Sequence, residues 1–176
     1  MAAKKSSEKL ETATFGGGCF WGVEELFRQI KGVKETAAGY MGGNKENPTY
    51  EEVCSGRTGH VESVQMKYDS KETTYEKLLE VFWMSHNPVQ ADGQGNDIGS
   101  QYRPVIFYHT PQQKKIAEKS KEQLQKSGRY NRPIATLIEQ AGAFWNAEDY
   151  HQKYLVKNPR GYCHINVKAI LGTVQK

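Results

Sequence analysis

Hydrophobic and polar positions alternate most cleanly between His60 and Tyr68. Glu62, Val64, Met66 and Tyr68 fall on one side of an extended chain, and Val61, Ser63, Gln65 and Lys67 on the other. That period of two predicts a strand, with its more apolar face carrying Glu62. A different period governs Phe20–Ile30, where Val23, Leu26, Phe27 and Ile30 recur at i, i+3, i+4 and i+7. This is the stripe of an amphipathic helix, and Gly32 ends it. Shorter strands are predicted at Glu11–Phe15, Val33–Gly39, Tyr102–His109 and Pro133–Gln140. Thr73-Thr74-Tyr75-Glu76 reads as a capping box opening a helix to about Ser85, with Tyr75, Leu78, Leu79 and Phe82 facing inward. Pro111–Gly128 is a lysine-rich helix with a proline start and a glycine stop. Ala147–Val156 is a short helix, and the apolar patch Ile165–Leu171 has no assigned form.

Two glycine-rich stretches, Tyr40–Gly59 and Asn87–Ser100, follow neither period. Loops this long within a folded domain are uncommon and often functional. The first six elements run strand, helix, strand, strand, helix, strand, the order of the split βαβ, ferredoxin-like fold. The expectation is an α/β (α+β) chain: a ferredoxin-like split βαβ sheet, helices packed on it, and an irregular C-terminal segment. Residues 1–10 read as a disordered, solvated tail and residues 11–176 as one domain. The two loops and the first helix N-terminus can gather at one sheet edge.

Composition narrows the function classes. The chain has 176 residues, 25% of them charged, and a net charge of +4. Its lysines scatter along helix faces instead of forming a block, so nucleic acid is not the expected partner. No apolar run reaches the roughly 20 residues of a membrane span, and the N-terminus has no apolar signal core. A cytoplasmic monomer is expected. Cys19, Cys54 and Cys163 are three cysteines at wide spacing, not a disulfide framework, so thiol chemistry in a reducing compartment is the better reading. The five histidines show no metal-ligand spacing, there is no C-x-x-C, and no glycine run carries G-K-[ST]. No metal or bound cofactor is expected.

Cys19 sits in Gly16-Gly17-Gly18-Cys19-Phe20-Trp21-Gly22, between a strand and a helix start. The thiolate is the nucleophile, and about 3% of an unperturbed thiol is ionised at pH 7. A helix N-terminus contributes roughly 0.3–1 kcal/mol, so a moderately activated thiol is expected, with glycines that let a substrate approach. Phe20 and Trp21 follow it. Phe20 also lies near the core stripe, whereas Trp21 is better placed as a pocket wall for a small apolar group. Glu62 is the second anomaly, because a carboxylate on a buried strand face is expensive unless paired or protonated. Burial favours the neutral acid, which can donate a proton to a substrate oxygen; the alternative is a partly solvated position at the strand end. Tyr40, Tyr50 and Tyr102 flank the loops and offer hydroxyl donors, though each also suits packing. Asp97 is a turn candidate.

Gly17-Gly18-Cys19-Phe20-Trp21-Gly22 resembles the signature of the A-type peptide methionine sulfoxide reductases. Further blocks match in order: Gly39-Tyr40-Met41-Gly42-Gly43, Asn47-Pro48-Thr49-Tyr50, Val53-Cys54-Ser55-Gly56, Thr58-Gly59-His60-Val61-Glu62, Gly95-Asn96-Asp97, Gly99-Ser100-Gln101-Tyr102-Arg103, His151-Gln152 and Asn158-Pro159-Arg160-Gly161-Tyr162-Cys163. The resemblance implies a single catalytic domain that reduces methionine S-sulfoxide, free or in oxidised proteins. Cys19 would attack the sulfur, Glu62 would protonate the oxygen, Tyr50 and Tyr102 would hydrogen-bond it with Asp97 in support, and Phe20 and Trp21 would hold the methyl. Cys19 would become a sulfenic acid, which condenses with a second thiol. The resemblance favours Cys163 as the resolving thiol and keeps Cys54 as the alternative. Thioredoxin, or dithiothreitol in vitro, would be the electron donor. Two other readings compete. In a cysteine hydrolase, similar to papain-like Cys-Trp contexts, His151 would be the base. A non-catalytic binder would leave Cys19 idle.

Overall fold

A computed structural model describes residues 9–175 of the chain. At its centre β3 (Val61–Asp69) lies antiparallel to β1 (Leu10–Gly16), Phe15 opposite Val64, and to β2 (Val33–Met41), Tyr40 opposite Glu62. β6 (Val105–Tyr108) pairs antiparallel with the other edge of β1. The inner four strands thus run β6-β1-β3-β2, the split βαβ order expected from the sequence. Two additions widen the sheet to six. β7 (Leu137–Gln140) runs parallel beside β6, and β8 (Trp145–Asn146) pairs with β2.

The alternation along β3 decides where the core sits. Val64, Met66 and Tyr68 point to one face and join Ala13, Phe15, Ala38, Tyr40 and Ile106. Helices α1 (Phe20–Phe27) and α3 (Tyr75–Ser85) cover that face, and Phe15 stacks on Phe82 with centroids 4.8 Å apart. α4 (Pro111–Lys126) packs beside α3, its Pro111 start capped by the Thr110 side chain. The opposite face holds a smaller cluster of Met41, Val61, Val105 and Phe107. Glu62, one residue from Val61, therefore faces the main core.

Several boundaries differ from the sequence expectation, each for a local reason. The stretch Tyr40–Gly59 contains α2 (Tyr50–Cys54), opened by a reciprocal capping box between Thr49 and Glu52. In α3 the capping residue is Thr74, not Thr73; the Thr74 side chain accepts the Lys77 N–H. The loop Asn87–Ser100 carries a two-stranded ribbon, β4 (Gly93–Gln94) and β5 (Asp97–Ile98), followed by a 3-10 turn at Ser100–Tyr102. The strand expected from Tyr102 starts only at Val105, and that expected from Pro133 only at Leu137. The helix expected over Ala147–Val156 is broken into a 3-10 turn at Asp149–His151 and α5 (Tyr154–Lys157). The break is Lys153, whose φ of 48° is left-handed. The unassigned patch near the C-terminus folds as α6 (Val167–Val174). Residues 1–8 of the expected tail lie outside the described residues, and Leu10 already belongs to β1. Among the described residues no helix is long and apolar enough to cross a membrane.

Candidate active site

Cys19 is the N-cap residue of α1, at the exit of β1. Of the three preceding glycines only Gly18 uses a left-handed backbone, at φ 89°. Gly16 is needed for space instead, since a β-carbon there would come within 2.6 Å of Val61 Cγ1. The thiol is 8% exposed. Burial pushes it well above the usual thiol range, and the nearby Glu62 charge adds to this; the Trp21 backbone N–H pulls the other way. The sequence expectation of a partly ionised thiol is thus corrected: desolvation outweighs the helix end. Cys19 rests as a neutral thiol.

Glu62 is 1% exposed, on the core face of β3. Its Oε1 accepts the Phe20 N–H at 3.3 Å, while Oε2 is buried with no hydrogen-bond partner among the described residues. Burial drives its pKa up to about 8, the Phe20 N–H opposes this, and Asp97 adds to it. Roughly nine-tenths of such a group is protonated at pH 7. The site therefore pairs a neutral thiol with a neutral carboxylic acid one residue from the same helix end.

The other expected residues converge here. Tyr102 is raised by burial and then by the charges of Glu62, Cys19, Cys54 and Asp97, which all act on its hydroxyl. Tyr50 is raised by burial, then by the Cys54 thiol and Glu62. Both remain neutral donors at physiological pH. Asp97 accepts a 2.8 Å hydrogen bond from the Tyr162 hydroxyl. Phe20 is 1% exposed and packs on Tyr40 and on the His151 ring, so it is also core. Trp21 is half-buried, stacked on Tyr154 at 3.7 Å, with its indole N–H donating to His151 Nδ1 at 2.9 Å.

The three cysteines are free. Cys163 packs against the first turns of α1: a β-carbon at Gly22 would lie 3.0 Å from its sulfur. Its thiol donates to the Ile165 carbonyl at 3.2 Å. Cys54 is exposed, at the end of α2.

The family described as peptide methionine sulfoxide reductase matches this chain over residues 11–176. The chain belongs to the peptide methionine sulfoxide reductase family. One relative, peptide methionine sulfoxide reductase MsrA of Methanoculleus marisnigri, is 58% identical over 93% of this chain and 98% of its own length. That of Methanothermobacter thermautotrophicus is 53% identical over 89% and 93%. Among solved structures, Mxr1 from Saccharomyces cerevisiae in reduced form superposes with a TM-score of 0.84 at 34% identity, covering 93% of both chains. Mxr1 in complex with Trx2 superposes at 0.60 and 25% identity, covering 87% of this chain and 90% of that one. The reductases of this family are oxidoreductases that reduce methionine sulfoxide, the enzyme class expected from the sequence.

Sequence reasoning missed the residues that hold this reductase site together. His151, in the matching His151-Gln152 block but given a chemical role only as a hydrolase base, is 1% exposed and centres a ring cluster with Phe20, Trp21, Tyr50 and Tyr150. Its Nδ1 is engaged by Trp21, and no hydrogen bond joins it to Cys19. Glu148 accepts from the Tyr40 hydroxyl and from the Tyr50 N–H, fixing the start of α2. Glu24, fully buried on α1, accepts from the Thr36 hydroxyl and from the Lys153 N–H at 2.6 Å. The second bond fixes the chain where it enters α5, which carries Tyr154.

Proposed function

We propose that the chain reduces methionine S-sulfoxide to methionine, both free and within oxidised proteins, as a monomeric single catalytic domain over residues 11–176 acting in protein repair in the cytoplasm. One observation carries this reading: a buried, largely protonated Glu62 with an unpartnered Oε2 stands at the helix end that presents the Cys19 thiol. A sulfoxide oxygen supplies the missing partner. As Glu62 protonates that oxygen, the sulfur becomes electrophilic enough for a poorly ionised thiol. Cys19 sulfur bonds to the sulfoxide sulfur, and its proton restores Glu62. The hydroxyl passes to Cys19, leaving methionine and a cysteine sulfenic acid. Tyr50 and Tyr102 donate to the oxygen, Asp97 supports them, and Phe20 with Trp21 walls the methyl.

Cys163 then condenses with the sulfenic acid, releasing water and forming a disulfide. Its place against α1 supports this role over exposed Cys54. Thioredoxin reduces the disulfide by exchange, a role supported by the yeast relative solved in complex with Trx2; dithiothreitol serves in vitro.

Incubation with resolved S and R epimers and dithiothreitol is expected to yield methionine from the S epimer alone. Folded protein that releases none from either would end this reading. Cys163→Ser is expected to release one methionine per chain and then stop with thioredoxin, while Cys54→Ser keeps turning over. The reverse pattern would assign the resolving role to Cys54.

A further inference from the structure

His164 lies directly after Cys163, and the mechanism above gives it no task. Its Nε2 is 2.9 Å from the Gly17 carbonyl. A carbonyl only accepts, so Nε2 carries the proton and Nδ1 of the neutral ring keeps a free lone pair. That Nδ1 is buried and has no hydrogen-bond partner among the described residues. It borders the same space over Gly22 as the Cys163 thiol: a β-carbon there would be 3.0 Å from Cys163 Sγ and 3.4 Å from His164 Nδ1. The same ring would touch a β-carbon at Gly18, 2.7 Å from Nε2, so it reaches the residue before Cys19.

Cys163 needs such a neighbour. Burial raises its pKa above the ordinary thiol value; the Ile165 backbone opposes this and the Glu25 charge adds to it. Its proton is directed at the Ile165 carbonyl, which cannot take it away. Sulfenic acid condensation requires the thiolate. We propose that His164 is the base of the resolving step, with Nδ1 removing the Cys163 thiol proton once the side chain turns from Ile165 toward Cys19. The step rests on the reaction proposed above. The Cys163 sulfur bonds to the Cys19 sulfur, the S–O bond breaks, and the proton gained by the imidazole passes to the departing hydroxide, which leaves as water. Cys163 is oxidised and the sulfenic sulfur of Cys19 reduced, with no further reagent.

Burial holds His164 below its ordinary pKa, opposed by the Gly17 carbonyl and then by Asp97, so the ring is a free base at neutral pH. The titratable groups facing it are Asp97 from β5, His86 from the end of α3, and Cys163 beside it.

The test is a single turnover of the full chain with one equivalent of methionine S-sulfoxide and no reductant. It follows methionine release, disulfide formation, and trapping of sulfenic acid by a 1,3-dione. His164→Gln keeps an amide donor for the Gly17 carbonyl but has no base. At pH 7 its disulfide is expected to form roughly a hundredfold more slowly than in the wild type, with the Cys19 dione adduct accumulating. The gap is expected to narrow as pH rises into the alkaline range and Cys163 begins to ionise unaided. Equal disulfide rates at pH 7, or a gap of the same size at every pH, would overturn the proposal; the second result would show that the ring only anchors the segment. Should His164→Gln fail to fold, the wild-type profile decides. Its disulfide rate must fall through an inflection below the ordinary histidine value of 6.5, and a rate that follows only the alkaline ionisation of a thiol overturns the role. Absence of methionine from the wild type would instead refute the parent reaction, and this step with it.

Discussion

Two glutamates, Glu24 within α1 and Glu62 beside its start, are both 1% exposed and have opposite fates. Glu24, midway along the helix, has a partner for each oxygen: the Thr36 hydroxyl on β2 and the Lys153 N–H entering α5. Glu62, at the N-terminal end, has one N–H at 3.3 Å and an Oε2 left bare. Burial is the same at both sites, so burial alone does not distinguish them. The difference is satisfaction. A carboxylate with two donors is a structural clasp, whereas one left half-partnered keeps its proton and has an oxygen free for a ligand.

Removing the proposed proton donor is the strongest way to test this contrast. Glu62→Gln is expected to slow single-turnover methionine release by about 10²–10⁴-fold while the chain stays folded. Equal slowing by Glu24→Ala would collapse the distinction between the two glutamates. A second, intermediate effect concerns pH. The folded value for Glu62, about 8, lies above its ordinary 4.5, so folding favours the protonated form. That contribution to stability is full below about pH 4.5 and is lost as pH rises through about 8. Urea unfolding between pH 5 and 9 is expected to show this decline in the wild type and a flatter line for Glu62→Gln. Parallel curves would mean that Glu62 is solvated in the folded chain. The smallest effect on catalysis belongs to the clasp. Glu24→Ala leaves a hydroxyl and an N–H unpaired, which is expected to lower stability by about 2–3 kcal/mol, with methionine release reduced less than tenfold.

What could be read from sequence follows from how local the signal is. The period of two along β3 exposed Glu62, and the strand–glycine–helix context exposed Cys19, because both patterns span under ten residues. The ferredoxin-like strand order was legible for the same reason. α2 also had a local signal, Thr49 three before Glu52, inside a stretch read as loop because five residues show no helical period. The Cys19 protonation state was misread, since a helix end is visible in sequence and desolvation by a folded core is not. Trp21 with His151, Glu24 with Lys153 and Gly17 with His164 lie 130, 129 and 147 positions apart. No periodicity links such pairs; they exist only once the last third of the chain folds back over α1.

The two glycines that seat residues 163 and 164, Gly18 and Gly22, have a consequence for the order of events during synthesis. A ribosome makes Cys19 early and Cys163 about 140 residues later, by the difference between positions 19 and 163. Through that interval Gly18 and Gly22 face no tail, and α1 lacks the ring and sulfur that fill the space above them. In the proposed cycle, a growing chain that meets an oxidant thus has Cys19 before it has Cys163 to close a disulfide with. The proposed cycle is available only once Cys163 has been added.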